Sequence, residues 1–184
     1  MEPKRLYKTY RFKDVIALTT ARRGIMRNKD HADVEIGSPP EFKGSADVWC
    51  PEELLIGAVN TCLMLTFLAY AQHRGLEISA CESSAEGTVE NVEGKYQVTR
   101  IVVKPAISLN QQGDAALAEE ILKSAKQGCF ISNSVKATIE LVPQFNTQSG
   151  RSLTERLALC HFLLYRQERG KSRCCEADDT KGDP

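Results

Sequence analysis

Between Leu54 and Ala71 the chain carries no charge, and only Gly57, Asn60, Thr61 and Thr66 interrupt its apolar character. Such a run has two outlets: a bilayer span, which takes about 20 apolar residues, or a helix apolar all round and enclosed by protein. Its flanks spell a helix. Pro51 suits a first helical turn, Glu52 and Glu53 favour the positive N-terminal end, and Gln72, His73, Arg74 and Gly75 close the segment. The run is short for a span, contains Asn60 and stands alone in an otherwise soluble composition, so the reading is a core helix buried on all sides, with no membrane contact.

The rest of the composition narrows the function. In 184 residues, 24 Lys and Arg balance 24 Asp and Glu, so no overall field exists to hold a nucleic-acid backbone, and a nucleic-acid partner is not expected. Apolar residues make up 42% and charged residues 26%, the proportions of a soluble globular protein. The stretch MEPKRLYKTYRFKD has no apolar segment of the secretory kind, which points to a cytoplasmic protein. Seven cysteines at 50, 62, 81, 129, 160, 174 and 175 are odd in number and scattered, unlike a disulfide framework, and contain no CxxC pair.

Along the chain, Lys8 to Gly37 reads as two or three antiparallel strands, ended by Ser38-Pro39-Pro40. After the helix, LEISACESSAEGTVENVEGKYQVTRIVVKPAISL reads as a long hairpin turning near Asn91 to Gly94. GDAALAEEILKSAKQG has apolar residues at 117, 121, 122 and 125 and a terminal glycine, the pattern of an amphipathic helix. Ser132 and Asn133 mark a short turn or cap, and VKATIELVP is a last strand that Pro143 ends. The core domain is therefore read as 1–143. Residues 144–184 form an extension: a polar linker from Gln144 to Gly150, a helix at about 152–166 opened by Ser152 and Glu155, and a disordered tail from Arg166.

A free cysteine is by default a small buried hydrophobe. Cys62, in the middle of the apolar helix within NTCLML, and Cys129, at a helix exit within GCFISNS, stand out only by position.

The two segments PEELLIGAVNTCLML and AKQGCFISNSVKATIEL together resemble the OsmC/Ohr family, over roughly Arg11 to Pro143. The resemblance implies an α+β domain of OsmC-like fold, with antiparallel sheets packed around long central helices in an intertwined homodimer. It implies a cysteine-based thiol peroxidase that reduces organic hydroperoxides and needs no metal or flavin. By motif, Cys62 matches the peroxide-attacking cysteine, Cys129 the resolving one and Glu52 the acid that organises the site. A Cys62 sulfenic acid and then a Cys62–Cys129 disulfide would follow, regenerated by an external dithiol of lipoyl type. The alternative is a non-enzymatic module of the same fold that binds a small apolar ligand at the dimer interface.

The chain departs from the family pattern in two places. The arginine that holds the reactive thiolate has its nearest match in Ala21-Arg22-Arg23-Gly24, where Arg22 or Arg23 fits, with Arg27 a weaker candidate; the loop before the helix offers only Lys43. Phe130 follows Cys129 where proline is common. Geometry adds that ten residues of helix separate Glu52 from Cys62 by roughly 15 Å along the axis and about 80° around it. Two helices crossing antiparallel near Gly57 would bring Glu52 of one level with Cys62 of the other, completing each site across a dimer; the alternative is that Glu52 and Glu53 only favour the helix dipole. His31, His73 and His161 read as surface or helix-end residues, Cys50 and Cys81 as packing thiols, and Trp49 as an anchor at a packing edge. Cys160, His161, Cys174 and Cys175 match no standard metal spacing.

Overall fold

A computed structural model describes residues 8–147. The helix expected at 152–166, the tail beyond it, His161 and the cysteines at 160, 174 and 175 lie outside the described residues.

Three strands, β1 (Val15–Thr20), β2 (Arg23–Arg27) and β3 (Val34–Gly37), form an antiparallel sheet in that order. A stretch of loop and a single turn of helix lead to α1 (Pro51–His73), the apolar run. Its N-cap is Cys50, whose Sγ accepts the Glu53 N–H at 3.4 Å while the Glu53 carboxylate accepts the Cys50 N–H at 3.0 Å, a reciprocal cap. Gly75, at φ +69°, and the bond from Leu76 N–H to the Ala71 carbonyl close its other end.

The hairpin follows as β4 (Ile78–Val92) and β5 (Lys95–Leu109), with Glu93 and Gly94 both at positive φ in its two-residue turn. Helix α2 (Ala115–Gly128) buries Ala118, Ile121, Leu122 and Ala125 against α1. The return through α2 brings β6 (Thr138–Leu141) alongside β5 in parallel, so the second sheet is mixed rather than wholly antiparallel. Pro143 interrupts this ladder without ending it. Gln144–Thr147, expected as linker, forms β7 and resumes the parallel pairing with β5 from Ala106 to Leu109. A residue without an N–H breaks one rung, and the chain beyond it finds the edge of β5 still open.

The core lies where α1 and α2 meet the face of β5: Val59, Leu63, Phe67, Ile121, Leu122, Ile101, Val103, Ile107 and Leu109 are all excluded from solvent. The expectation that α1 is buried on all sides is corrected for the single chain. One side faces the core, while Ala58, Thr61, Leu65, Leu68 and Ala69 lie open, because one sheet and one helix can cover only one side of an apolar cylinder. The N-terminal sheet is joined to the rest mainly through backbone, by the bonds from Gly37 N–H to the Trp49 carbonyl and from Trp49 N–H to the Glu35 carbonyl. Trp49 anchors there by its main chain; its ring is exposed, contrary to the packing role read for it.

Candidate thiol site

Cys62 faces the α2 side of α1, half-buried, and Cys129 leaves α2 in extended conformation and is fully buried. The fold brings the two cysteines close enough for each to shift the ionisation of the other. A tight turn from Cys129 to Ser134 fixes this approach. The Asn133 N–H donates to the Cys129 carbonyl at 3.1 Å, Asn133 Nδ2 to the Gln127 carbonyl at 2.9 Å, and Ser134 Oγ to the Phe130 carbonyl at 2.8 Å.

That turn supplies donors to Cys129 and lies beside Cys62. The backbone of Ile131 and Phe130 favours the Cys62 thiolate, and the Ser132 N–H and hydroxyl reach Cys129 Sγ at 3.4 and 3.1 Å. The two thiols consequently diverge. Burial pushes the Cys62 thiol up, but the Ile131 amide, the Cys129 thiol, the Phe130 amide and the Thr66 hydroxyl together hold it below the usual cysteine range. Burial dominates at Cys129 and, with Cys62 beside it, leaves that thiol above the usual range despite Ser132. A thiolate is the nucleophile in sulfur chemistry, so the exposed member of the pair is the one made reactive.

The other expected residues lie elsewhere. Glu52 is in the first turn of α1, ten residues before Cys62, beside a cavity of about 720 Å³ lined by Pro39, Pro40, Phe42, Cys50 and Val89. Its Oε2 is buried and has no hydrogen-bond partner among the described residues. Arg23 is held by Asp47 at 2.8 Å and Glu35 at 3.8 Å, and Arg27 by Asp33 at 2.9 Å. Arg22 donates instead to the carbonyl of Phe42 at 2.6 Å, on the wall of the cavity that holds Glu52. No arginine is therefore placed at Cys62 within the described chain; the expected set of residues falls into a thiol half and a carboxylate half. Cys50 also lines the cavity, and burial keeps its thiol above the usual range. Cys81, half-buried against the core, is likewise raised by burial. Among the described residues no group of three or more His, Cys, Asp or Glu is placed to hold a metal ion.

Sequence reasoning had not found Ser132, Thr66 or the amides of Phe130 and Ile131. Backbone donors carry no residue signature, and the Ser132-Asn133 pair had signalled only a turn.

Residues 44–143, which include α1, both thiols and the mixed sheet as far as β6, match the OsmC-like protein family. The chain belongs to that family. The uncharacterized protein YmaD of Bacillus subtilis is 30% identical over 118 residues, covering 62% of this chain and 79% of that protein. Peroxiredoxin OsmC of Escherichia coli is 26% identical over 91 residues, covering 50% of this chain and 63% of that protein. In structure, an OsmC-like protein of unknown function from Vibrio cholerae superposes with a TM-score of 0.63 at 21% identity, over 73% of this chain and 99% of that one. The fold is the OsmC-like α+β fold, and OsmC-like membership suggests a redox or peroxidase role.

Proposed function

We propose that this protein is a cysteine-based peroxidase that reduces organic hydroperoxides. The observation that carries the reading is the approach of Cys62 to Cys129, drawn from distant parts of the chain, with the Ser132 hydroxyl and N–H held on Cys129 Sγ. The Cys62 thiolate attacks the terminal oxygen of the hydroperoxide, the O–O bond breaks, and the alcohol leaves after taking a proton. Cys62 is then a sulfenic acid. Cys129 attacks that sulfur, a disulfide forms and water departs. An external dithiol, of lipoyl type by family resemblance, restores both thiols in the reducing environment of the cytoplasm.

The site is completed by a second copy of the chain. Three features support a homodimer: the open apolar side of α1 at Leu65 and Leu68, the empty space over Gly57, and the exposed Val15, Ile16 and Leu18 on β1. An antiparallel crossing near Gly57 sets Glu52 of one protomer level with Cys62 of its partner. Of the two adjacent arginines, Arg22 is the one that joins Glu52 there, because among the described residues its guanidinium binds a carbonyl and no carboxylate, while Arg23 is already neutralised by two carboxylates.

The test is consumption of an organic hydroperoxide with dihydrolipoamide, comparing wild type with Cys62→Ser, Cys129→Ser and Arg22→Ala. Turnover that is lost in Cys62→Ser and Cys129→Ser supports the reading; a wild type with intact thiols and no turnover sinks it. The cavity at Glu52, apart from the thiols of its own chain, favours a second reading, a non-enzymatic module that holds a small apolar ligand. Saturable binding of such a ligand, with no peroxide consumed, would select it.

A further inference from the structure

The thiol pair is asymmetric in a way that bears on how a disulfide between its members is opened. Cys129 is fully buried, whereas Cys62 is partly open to solvent. Ser132 supplies two donors to Cys129 Sγ, its hydroxyl at 3.1 Å and its N–H at 3.4 Å. When a thiolate attacks one sulfur of a disulfide, the other leaves as an anion, and donors already in place at the leaving sulfur lower the barrier.

We propose that an external thiolate attacks Cys62 Sγ, and that Ser132 receives Cys129 as the departing thiolate. This rests on reading the two cysteines as a redox pair. A new S–S bond forms between the reductant and Cys62, the Cys62–Cys129 bond breaks, and its electron pair goes to Cys129 Sγ, which then takes a proton from water. The second thiol of a dithiol reductant attacks its own mixed disulfide, leaves as a cyclic disulfide, and frees Cys62 as a thiolate. The dithiol is oxidised by two electrons and the protein pair reduced by two. The same Ser132 donors act in the forward direction by favouring the Cys129 thiolate that attacks the sulfenic acid, against the burial that opposes its ionisation.

The experiment starts from the full chain oxidised with diamide, a dithiol oxidant that makes the disulfide without any peroxide. The oxidised protein is treated briefly with limiting 2-mercaptoethanol, quenched with N-ethylmaleimide, and mapped by peptide mass. The mercaptoethanol adduct is expected on Cys62 and the maleimide on Cys129. Ser132→Ala is expected to slow the cleavage about tenfold, the scale of one hydrogen bond to a charged group, and Ser132→Thr to restore it. A purely structural role would not move ionisation selectively. In Cys62→Ser, replacing Ser132 with Ala is expected to shift the pH profile of Cys129 alkylation upward, while in Cys129→Ser it leaves the Cys62 profile in place.

An adduct on Cys129, or cleavage of Ser132→Ala at the wild-type rate, overturns the proposal and leaves the peroxidase reading standing. If diamide forms no Cys62–Cys129 bond, both fall together. A disulfide that forms and opens at Cys62 in a protein inactive toward peroxide sinks the peroxidase reading alone.

Discussion

Asn60 is the one carboxamide in the apolar run, and it pins α1 to the sheet two residues before Cys62. Its Nδ2 donates to the Ser83 carbonyl at 3.1 Å, and Ser83 Oγ donates to Asn60 Oδ1 at 2.6 Å. Ser83 lies on β4, at the edge of its sheet, and faces Pro105 in the register, which has no N–H to offer. Asn60→Ala removes both bonds and leaves the Ser83 carbonyl and hydroxyl unpartnered in a half-buried place. At 0.5–1.5 kcal/mol per bond, the loss is about 2 kcal/mol. Ser83→Ala keeps the bond to the carbonyl and costs about 1 kcal/mol, and the two changes together cost about 1 kcal/mol less than their sum, because they share one interaction. Urea unfolding at a single fixed protein concentration reads these differences, since association would otherwise shift the midpoint. For an m-value near 2 kcal/mol/M, Asn60→Ala lowers the midpoint by about 1 M. An Asn60→Ala protein within about 0.5 kcal/mol of wild type, or strict additivity in the double variant, would refute the pin.

Three further outcomes follow from named contacts. Phe130→Pro is compatible with the extended Cys129 before it, at ψ 115°, but deletes a backbone N–H that favours the Cys62 thiolate. Because the native donors hold the Cys62 thiol below its ordinary value, the alkylation midpoint rises in the variant and the rate near neutral pH falls, as measured by iodoacetamide labelling across pH. Gly87→Ala places a Cβ against Ile56 Cδ1, with Cγ1 at 2.8 Å, and is expected to cost about 1–3 kcal/mol in urea unfolding, partly restored by Ile56→Val. Leu65→Arg puts a charge on the open side of α1 and is expected to yield monomers in analytical ultracentrifugation; an unchanged dimer would place the contact elsewhere.

Elements with a strong periodic or punctuating signal were legible in the sequence. Pro51, Glu52 and Glu53 marked the start of α1, the Asn91–Gly94 stretch marked the hairpin turn, and the spacing of Ile121, Leu122 and Ala125 marked the buried side of α2. What escaped depends on the third dimension. Nothing local in Gln144–Thr147 announces a strand, because its partner on β5 is reached only through α2. Uniform apolarity in α1 identified a helix but not which side its own chain covers. Cys62 and Cys129 were singled out through family resemblance; the Ser132 contacts were not legible, since they are a property of backbone course rather than residue type.

Cys62 lies midway along α1 and Cys129 just past the end of α2, so the chain between them contains half of one helix, the whole hairpin and all of the other helix. A bond joining the two sulfurs would tie off a ring of roughly 67 residues in the unfolded chain. By the loop-closure relation that restriction is worth about 4 kcal/mol of conformational entropy. Oxidation would then do more than give up two electrons: the molecule spent by one turnover would be harder to unfold than the one ready for the next, and thermal melting with and without reductant becomes a gauge of how much of a population has fired.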